Sequence, residues 1–306
     1  MRLFKILSFS VIILGLMMYK AQAQMHSSET DHSDHAITIL AEDYAFDAPD
    51  EIPSGWTTIE YTNEGEEPHL LVLGLMPEGK TFEDYAGEVL PPFDEAWHTY
   101  AAGEIDLEEF VGRFEAESPE WFGAVKYMGG SGLIDPGLTS EVTVNLQPGT
   151  YYLECYVKTE EGEFHIMEGM GRELIVTEAP STVERPEAGI NITLTNFEMT
   201  IDGELTPGMH TVAVHMTEQP EEGLPHNVHV ARIGPNVDVD ELVRWVNWLA
   251  IDGMQVPAPT SFVGGINILE EGETGYFTLD LEPGRYLFLS ENTGHLGVMQ
   301  EVTIEP

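Results

Sequence analysis

The sequence contains little cysteine and few basic residues. Its 306 residues include one cysteine, Cys155, which excludes an intramolecular disulfide framework and a cysteine-rich zinc module. Lysine and arginine total 12 against 54 aspartates and glutamates, a formal net charge of −42. A surface this acidic repels phosphate backbones, so we expect no nucleic-acid partner. The sequence also lacks a Gly-rich phosphate loop, a GxSxG motif and an HExxH motif.

The first 23 residues have the pattern of a signal peptide. Arg2 and Lys5 form a charged start, an apolar stretch follows, and the small residues of AQA at 21–23 precede the expected cleavage site. The apolar run is shorter than the roughly 20 residues of a membrane span. We therefore predict a periplasmic or secreted protein without a stable membrane span after cleavage.

Residues 24–35 are polar and predict a flexible tail. The tail carries His26, His32 and His35. Two interpretations remain open for these histidines: a solvated linker, or an arm that collects metal ions weakly.

The remaining chain contains an internal repeat. Residues 129–155 align without a gap with residues 264–290, and 43–55 align with 196–208. The length also favours two domains. We predict one domain over 36–177, a linker over 178–188 and a second domain over 189–306. Identical pairs in the longer block include Gly129/Gly264, Gly130/Gly265, Gly137/Gly272, Leu146/Leu281, Pro148/Pro283, Gly149/Gly284 and Tyr151/Tyr286.

Each copy has the pattern of an all-β domain with a helical insertion. Apolar residues alternate with polar ones over 142–146 and 277–281, and a Pro-Gly turn follows each stretch. Short strands between Gly/Pro turns favour a β-sandwich. Two helical patterns lie within 81–126, around FEDYAGEVL and DLEEFVGRF. A third, VDVDELVRWVNWLA, begins with Asp238 or Asp240 as the expected N-cap.

Four side chains of the first copy form a candidate copper ligand set. Cys155 ends a predicted strand, His165 and Met170 follow it, and His69 precedes the apolar run LLVLGL. Thiolate and thioether are soft donors that suit Cu(I), and imidazole suits both copper oxidation states. The alternative is a buried cysteine that acts as a small hydrophobe in a sandwich without metal.

This order of strand, Cys, loop, His and Met, with a distant upstream His, resembles the cupredoxins, the small blue copper proteins. The resemblance implies two tandem cupredoxin-like Greek-key β-sandwiches. It also implies one type 1 copper in the first, with His69, Cys155 and His165 as strong ligands and Met170 as the axial ligand. The HIMEGM segment is similar to the corresponding loop of copper nitrite reductases. The loop between Cys155 and His165 is longer than in most small cupredoxins, and Met167 competes for the axial position.

The second copy departs from the pattern, because Ser290 aligns with Cys155. A hydroxyl is a poor copper ligand, so a structural domain is expected there, with a weak site of His226, His295 and Met299 as the alternative. We predict a copper-binding protein for electron transfer or periplasmic copper handling, which exchanges electrons or copper with a protein partner. A copper oxidoreductase and a metal-free interaction module are the alternatives. In copper nitrite reductases and multicopper oxidases, a histidine commonly neighbours the copper-binding cysteine and links it to a catalytic copper. Here Glu154 and Tyr156 flank Cys155, so we expect no oxidase or nitrite reductase turnover.

Overall fold

The computed structural model describes residues 36–220 and 225–306. The predicted signal peptide and the tail with His26, His32 and His35 lie outside the described residues. Residues 37–306 form one compact unit. Among the described helices, none has the length and apolar character needed to cross a membrane.

The strands of the first half form two connected layers. In one layer the order is β2-β1-β3-β6; in the other it is β3-β8-β7-β4-β5, because the long strand β3 takes part in both. The strands are β1 (Ile37–Glu42), β2 (Ala45–Asp47), β3 (Glu51–Asn63), β4 (Val72–Leu75), β5 (Lys126–Tyr127), β6 (Thr139–Leu146), β7 (Gly149–Glu154) and β8 (Gly171–Pro180).

The second half repeats this pairing order. Its layers are β10-β9-β11-β14 and β13-β12-β15-β16, and antiparallel pairing of β14 with β6 joins the two halves. The strands are β9 (Ile190–Thr195), β10 (Glu198–Asp202), β11 (Gly208–Met216), β12 (Val228–Ile233), β13 (Ser261–Ile266), β14 (Thr274–Leu281), β15 (Gly284–Leu289) and β16 (Met299–Ile304). The division into domains at 178–188 stays a prediction.

The alternating strand pattern has the expected physical result. Phe277, Leu279 and Leu281 of β14 are buried while Asp280 is exposed, as a period-two strand with one apolar face requires. The layers share one hydrophobic core that contains residues from both halves. The predicted fold class, mostly β with sandwich-like sheets and few helices, is confirmed.

A pair of glycines from the repeat has the same role in each half. Gly130 has φ +119°, and a Cβ there would lie 2.0 Å from the carbonyl oxygen of Leu71. Gly265 has φ +130°, and its Cβ would lie 2.0 Å from the carbonyl oxygen of Val228. Only glycine allows two backbones to approach this closely at such a φ. Leu71 lies two positions after His69, and Val228 lies two positions after His226.

The first helical insertion contains one helix more than the sequence patterns indicated. Besides α1 (Phe82–Glu88) and α3 (Leu107–Glu117), it includes α2 (Leu90–Ala101), which we had not expected. Pro91 and Pro92 suggest a break, but they occupy the first turn, where backbone N–H groups lack intrahelical partners. In the second half, α4 (Val239–Val246) has Asp238, one of the two candidates, as its N-cap.

Candidate metal centre

Backbone hydrogen bonds bring the candidate ligands together from distant parts of the chain. His69 exchanges hydrogen bonds with Ile134, outside the regular strands. Cys155 directly follows β7, and its N–H donates to the carbonyl of Met170. The N–H of Met170 in turn donates to the carbonyl of His165, at 2.9 Å. Pairing of β4 with β7, in which Val72 lies opposite Glu154, places the end of β7 and the turn after it beside the segment that precedes β4.

Three donor atoms converge at the centre of this arrangement. The Nδ1 atoms of His69 and His165 are 3.1 Å apart. The Sγ atom of Cys155 lies 3.8 Å from the first and 3.6 Å from the second. All three side chains are fully buried, and they form one of the groups in the described chain with atoms close enough to hold a metal ion.

Carboxylates face the outer nitrogen of each imidazole. His69 Nε2 lies 2.7 Å from Asp43 Oδ1, and His165 Nε2 lies 2.9 Å from Glu67 Oε2. The second contact is close, but its angles are not those of a hydrogen bond. A carboxylate can only accept hydrogen bonds, so each of these carboxylates favours the histidine tautomer with the proton on Nε2. The Nδ1 atoms then carry lone pairs that point toward each other and toward the sulfur.

The donor atoms fit a metal ion. Two lone pairs 3.1 Å apart repel unless a cation or a proton lies between them, and one thiol proton can satisfy only one imidazole. Two metal–ligand bonds of the usual N and S lengths, at tetrahedral or trigonal angles, separate their donors by roughly 3.3–3.7 Å. The separations of 3.1, 3.6 and 3.8 Å are close to this range.

Burial governs protonation in the metal-free site. It raises the pKa of Cys155 to about 12. Burial, together with the neighbouring His69, lowers the pKa of His165 to about 3. For Asp43, burial is outweighed by hydrogen bonds from the Glu66 backbone and from His69, which lower its pKa. The metal-free site therefore holds a neutral thiol beside imidazoles that resist protonation, so metal uptake as thiolate releases a proton.

The two methionine candidates lie in different surroundings. Met170 is fully buried in the same core cluster as Cys155. Met167 is half-buried and packs against a smaller, mainly aromatic cluster, several members of which belong to the helical insertion. Burial and backbone contacts thus associate Met170, rather than Met167, with Cys155.

The corresponding position of the second half is filled by a hydrogen-bonded network. His226 Nδ1 lies 3.1 Å from Ser290 Oγ and 3.0 Å from Thr293 Oγ1, and its Nε2 faces the carbonyl of Asn196 at 3.3 Å. The Nδ1 atom of His226 is thus satisfied by two hydroxyl groups. In the first half, the corresponding Nδ1 atom of His69 faces the sulfur of Cys155 and the imidazole of His165 instead. His295 is exposed on a short 3-10 turn, and Met299 is half-buried.

The sequence patterns did not identify Asp43 or Glu67 as site residues. Both leave a weak signal: Asp43 aligns with Asn196 in the repeat, and Glu67 precedes Pro68 and His69. A second group that the structure brings together is Asp94, His98 and Glu163, at the surface. His98 Nε2 lies 3.5 Å from Glu163 Oε1, and no sequence pattern indicated the group.

Comparisons with known proteins are as follows. No protein-family model matches the chain, and no curated protein matches it. The reduced auracyanin of the photosynthetic bacterium Roseiflexus castenholzii shares 21 % identity, with 47 % of this chain and 98 % of that chain covered and a TM-score of 0.28. Auracyanin A, a "blue" copper protein from Chloroflexus aurantiacus, shares 20 % identity over 46 % and 98 % of the two chains, with a TM-score of 0.28. A multicopper oxidase shares 15 % identity over 88 % of both chains, with a TM-score of 0.24. At these TM-scores the likenesses do not by themselves establish a function for this chain.

Proposed function

We propose that this chain is an exported copper-binding protein of the cupredoxin type. Its first half holds one copper ion through His69, Cys155 and His165, with Met170 as a weaker fourth ligand. The observation that carries the proposal is the convergence of two Nδ1 atoms and one Sγ atom within 3.8 Å of one another. The donor set of thiolate, imidazoles and thioether is the one that selects copper and supports both of its oxidation states.

When bound, copper would supply reversible one-electron transfer between Cu(I) and Cu(II). The protein's own residues hold the donors in place. Asp43 and Glu67 orient the imidazoles, and the amide N–H of Leu70, 3.5 Å from Cys155 Sγ, is directed at the sulfur. The full burial of the three donors limits access of small molecules to the ion, which favours outer-sphere electron exchange or copper transfer over catalysis on a bound substrate.

The two halves are proposed to be copies of one ancestral sandwich. The same strand-pairing order, the matched glycines Gly130 and Gly265, and the alignment of Ser290 with Cys155 support this proposal. In the second half, the hydrogen bonds of His226 replace metal coordination, so that half serves as a structural or docking partner. The charge of −42 favours a basic redox or copper-transfer partner, with salt-sensitive association.

The proposal is tested by the visible spectrum of the purified protein after addition of Cu(II). A thiolate–Cu(II) bond should give strong absorption in the red. Cys155→Ser should abolish this band, whereas Ser290→Ala, the matched change in the second half, should leave it unchanged. A protein that takes up no copper under either oxidising or reducing conditions contradicts the proposal.

A further inference from the structure

A large cavity lies between the helical insertion and the strands of the first half. Its volume is about 750 Å³, within the range of small-molecule sites. Helices α2 and α3 contribute Phe93, Phe110 and Phe114 to its wall. Trp248 of the second half also lines it. Most of the wall is aromatic or aliphatic, and such a wall favours a ligand with an aromatic ring.

The cavity is next to the candidate metal centre. Glu154 and Tyr156, the chain neighbours of Cys155, both line it, and so do Phe164 and Ile166, the neighbours of His165. Residues that alternate along an extended chain point to opposite sides, so Cys155, directly after β7, points toward the metal centre while Glu154 and Tyr156 form part of the cavity wall. His165 lies in a turn, and its neighbours Phe164 and Ile166 also contribute to the wall.

Polar groups in the wall lack partners or have spare capacity. Asn292 is 8 % exposed, and its Oδ1 atom has no hydrogen-bond partner in the described chain. Its Nδ2 atom donates to Glu291 Oε1, which accepts only, so the amide orientation is determined and Oδ1 is the unpaired atom. Ser118 Oγ is also unpaired among the described residues. Tyr85 donates to one oxygen of Glu154 at 2.7 Å, and a carboxylate can accept further hydrogen bonds.

We propose that this cavity binds a neutral aromatic compound that carries a hydroxyl hydrogen-bond donor. The ring would pack among the aromatic side chains, and the hydroxyl would donate to the unpaired Asn292 Oδ1. An unpaired buried acceptor is costly, and a donor from the ligand removes this cost. Glu115 and Glu120, which also line the cavity, and the net charge of −42 disfavour aromatic anions.

The proposal names a small molecule rather than the chain's own polar tail. Residues 24–35 contain Glu29, Asp31 and Asp34 and no aromatic residue. Their charges would be costly to bury against aromatic walls and beside Glu154. The inference goes beyond the proposed function and does not depend on copper, because the binding is measured on metal-free protein.

The experiment is calorimetric titration of the metal-free protein with 2-naphthol. We expect one binding site per chain. 2-Methylnaphthalene, which lacks the donor, should bind roughly 5–10-fold more weakly, as expected for one lost hydrogen bond, and 2-naphthoate should not bind. Equal affinity for 2-naphthol and 2-methylnaphthalene, or tighter binding of 2-naphthoate, overturns the proposed ligand class.

Variants locate the binding site. Val111→Trp, at a partly exposed position that lines the cavity, should abolish binding of 2-naphthol. Leu107→Trp is the matched control, because Leu107 lies one helical turn earlier on α3 with similar exposure and outside the cavity wall. Asn292→Leu should weaken 2-naphthol roughly 5–10-fold but leave 2-methylnaphthalene unchanged. Binding that survives Val111→Trp, or that Leu107→Trp removes equally, overturns the site.

Discussion

Each imidazole of the candidate centre has two nitrogens with different neighbours. The Nδ1 atoms of His69 and His165 face Cys155, and the Nε2 atoms face Asp43 and Glu67. A carboxylate on the outer nitrogen fixes the tautomer and makes the inner nitrogen a better donor. Gly65 permits this arrangement, since a Cβ there would lie 2.2 Å from Asp43 Oδ1. The carboxylates are therefore part of the site although they do not contact the sulfur.

The first residue-scale prediction concerns Asp43. Asp43→Asn removes the negative charge beside His69 and replaces the carboxylate acceptor with a weaker, neutral amide oxygen, so copper affinity should fall roughly 10–100-fold. The lost charge favours Cu(I) over Cu(II), and the reduction potential should rise. Competition titration and potentiometry measure the two quantities. The control is Asp47→Asn, at an exposed position of β2. Equal effects of the two substitutions would rule out a positioning role for Asp43.

The second concerns acid stability of the metal-free protein. The pKa of His165 is lowered from 6.5 to about 3, so between these values the unfolded chain binds a proton that the folded protein does not. This contribution to stability is present above pH 6.5 and is lost as pH falls toward 3, with a slope of up to about 1.4 kcal/mol per pH unit. Urea unfolding of the wild type and His165→Gln should show this slope difference. Equal slopes in the two proteins would contradict the prediction.

At the scale of elements, the long loop between Cys155 and His165 is anchored to the second half. The N–H of Lys158 donates to the carbonyl of Met254, and the N–H of Val256 donates to that of Lys158. Tyr156 donates to Glu291, which also pairs with buried His229 at 2.9 Å. The length of this loop thus has a structural role here, because the loop reaches partners 90 or more residues later in the chain.

The buried amine of Lys158 is the main anchor of this loop. Its Nζ lies 3.1, 2.8 and 3.1 Å from the carbonyl oxygens of Trp248, Ala250 and Ile251, and 4.4 Å from the ring centroid of Trp97. Lys158→Met leaves three carbonyls without their donor, so the free energy of unfolding should fall by about 2–4 kcal/mol. Urea denaturation checks this value. Lys126→Met, at an exposed lysine of β5, should change it by less than about 0.5 kcal/mol.

For the whole molecule, pairing of β6 with β14 and the shared core join two halves with different site chemistry. Two buried histidines of the second half have protein partners: His226 contacts Ser290 and Thr293, and His229 accepts from Leu133 N–H and faces Glu291. Neither histidine has a nitrogen left for a metal without breaking these hydrogen bonds. The absence of a second coordinating centre in the second half stays a prediction.

We therefore expect one tightly bound copper per chain. Metal analysis after removal of loosely bound ions by a chelator should give one equivalent for the wild type and none for Cys155→Ser. The chelator step matters because Asp94, His98 and Glu163 could bind a cation weakly at the surface. Oxygen or nitrite turnover with an artificial electron donor should be absent. Two equivalents would contradict the single-copper proposal, and turnover that His229→Ala removes would identify a copper oxidoreductase instead.

The sequence by itself determined the β-rich fold class, several of the strands and the donor types. Period-two alternation, Pro-Gly turns and the Asp238 cap are local signals, since each depends on neighbours a few residues away. The order of His69, Cys155, His165 and Met170 also stands in the sequence. Helix α2 was missed because its two prolines are tolerated only at a helix start, and a local pattern does not show that such a start is used.

Only the tertiary structure decided which distant groups meet. Asp43 reaches His69 across 26 residues, and Lys158 reaches Ala250 across 92. Among 54 acidic residues, no local pattern separates Asp43 and Glu67 from the solvated majority. The same holds for the aromatic cavity, whose walls come from α2, α3 and the second half. Such contacts depend on how the sheets and the insertion pack, and packing is a property of the whole chain rather than of a short segment.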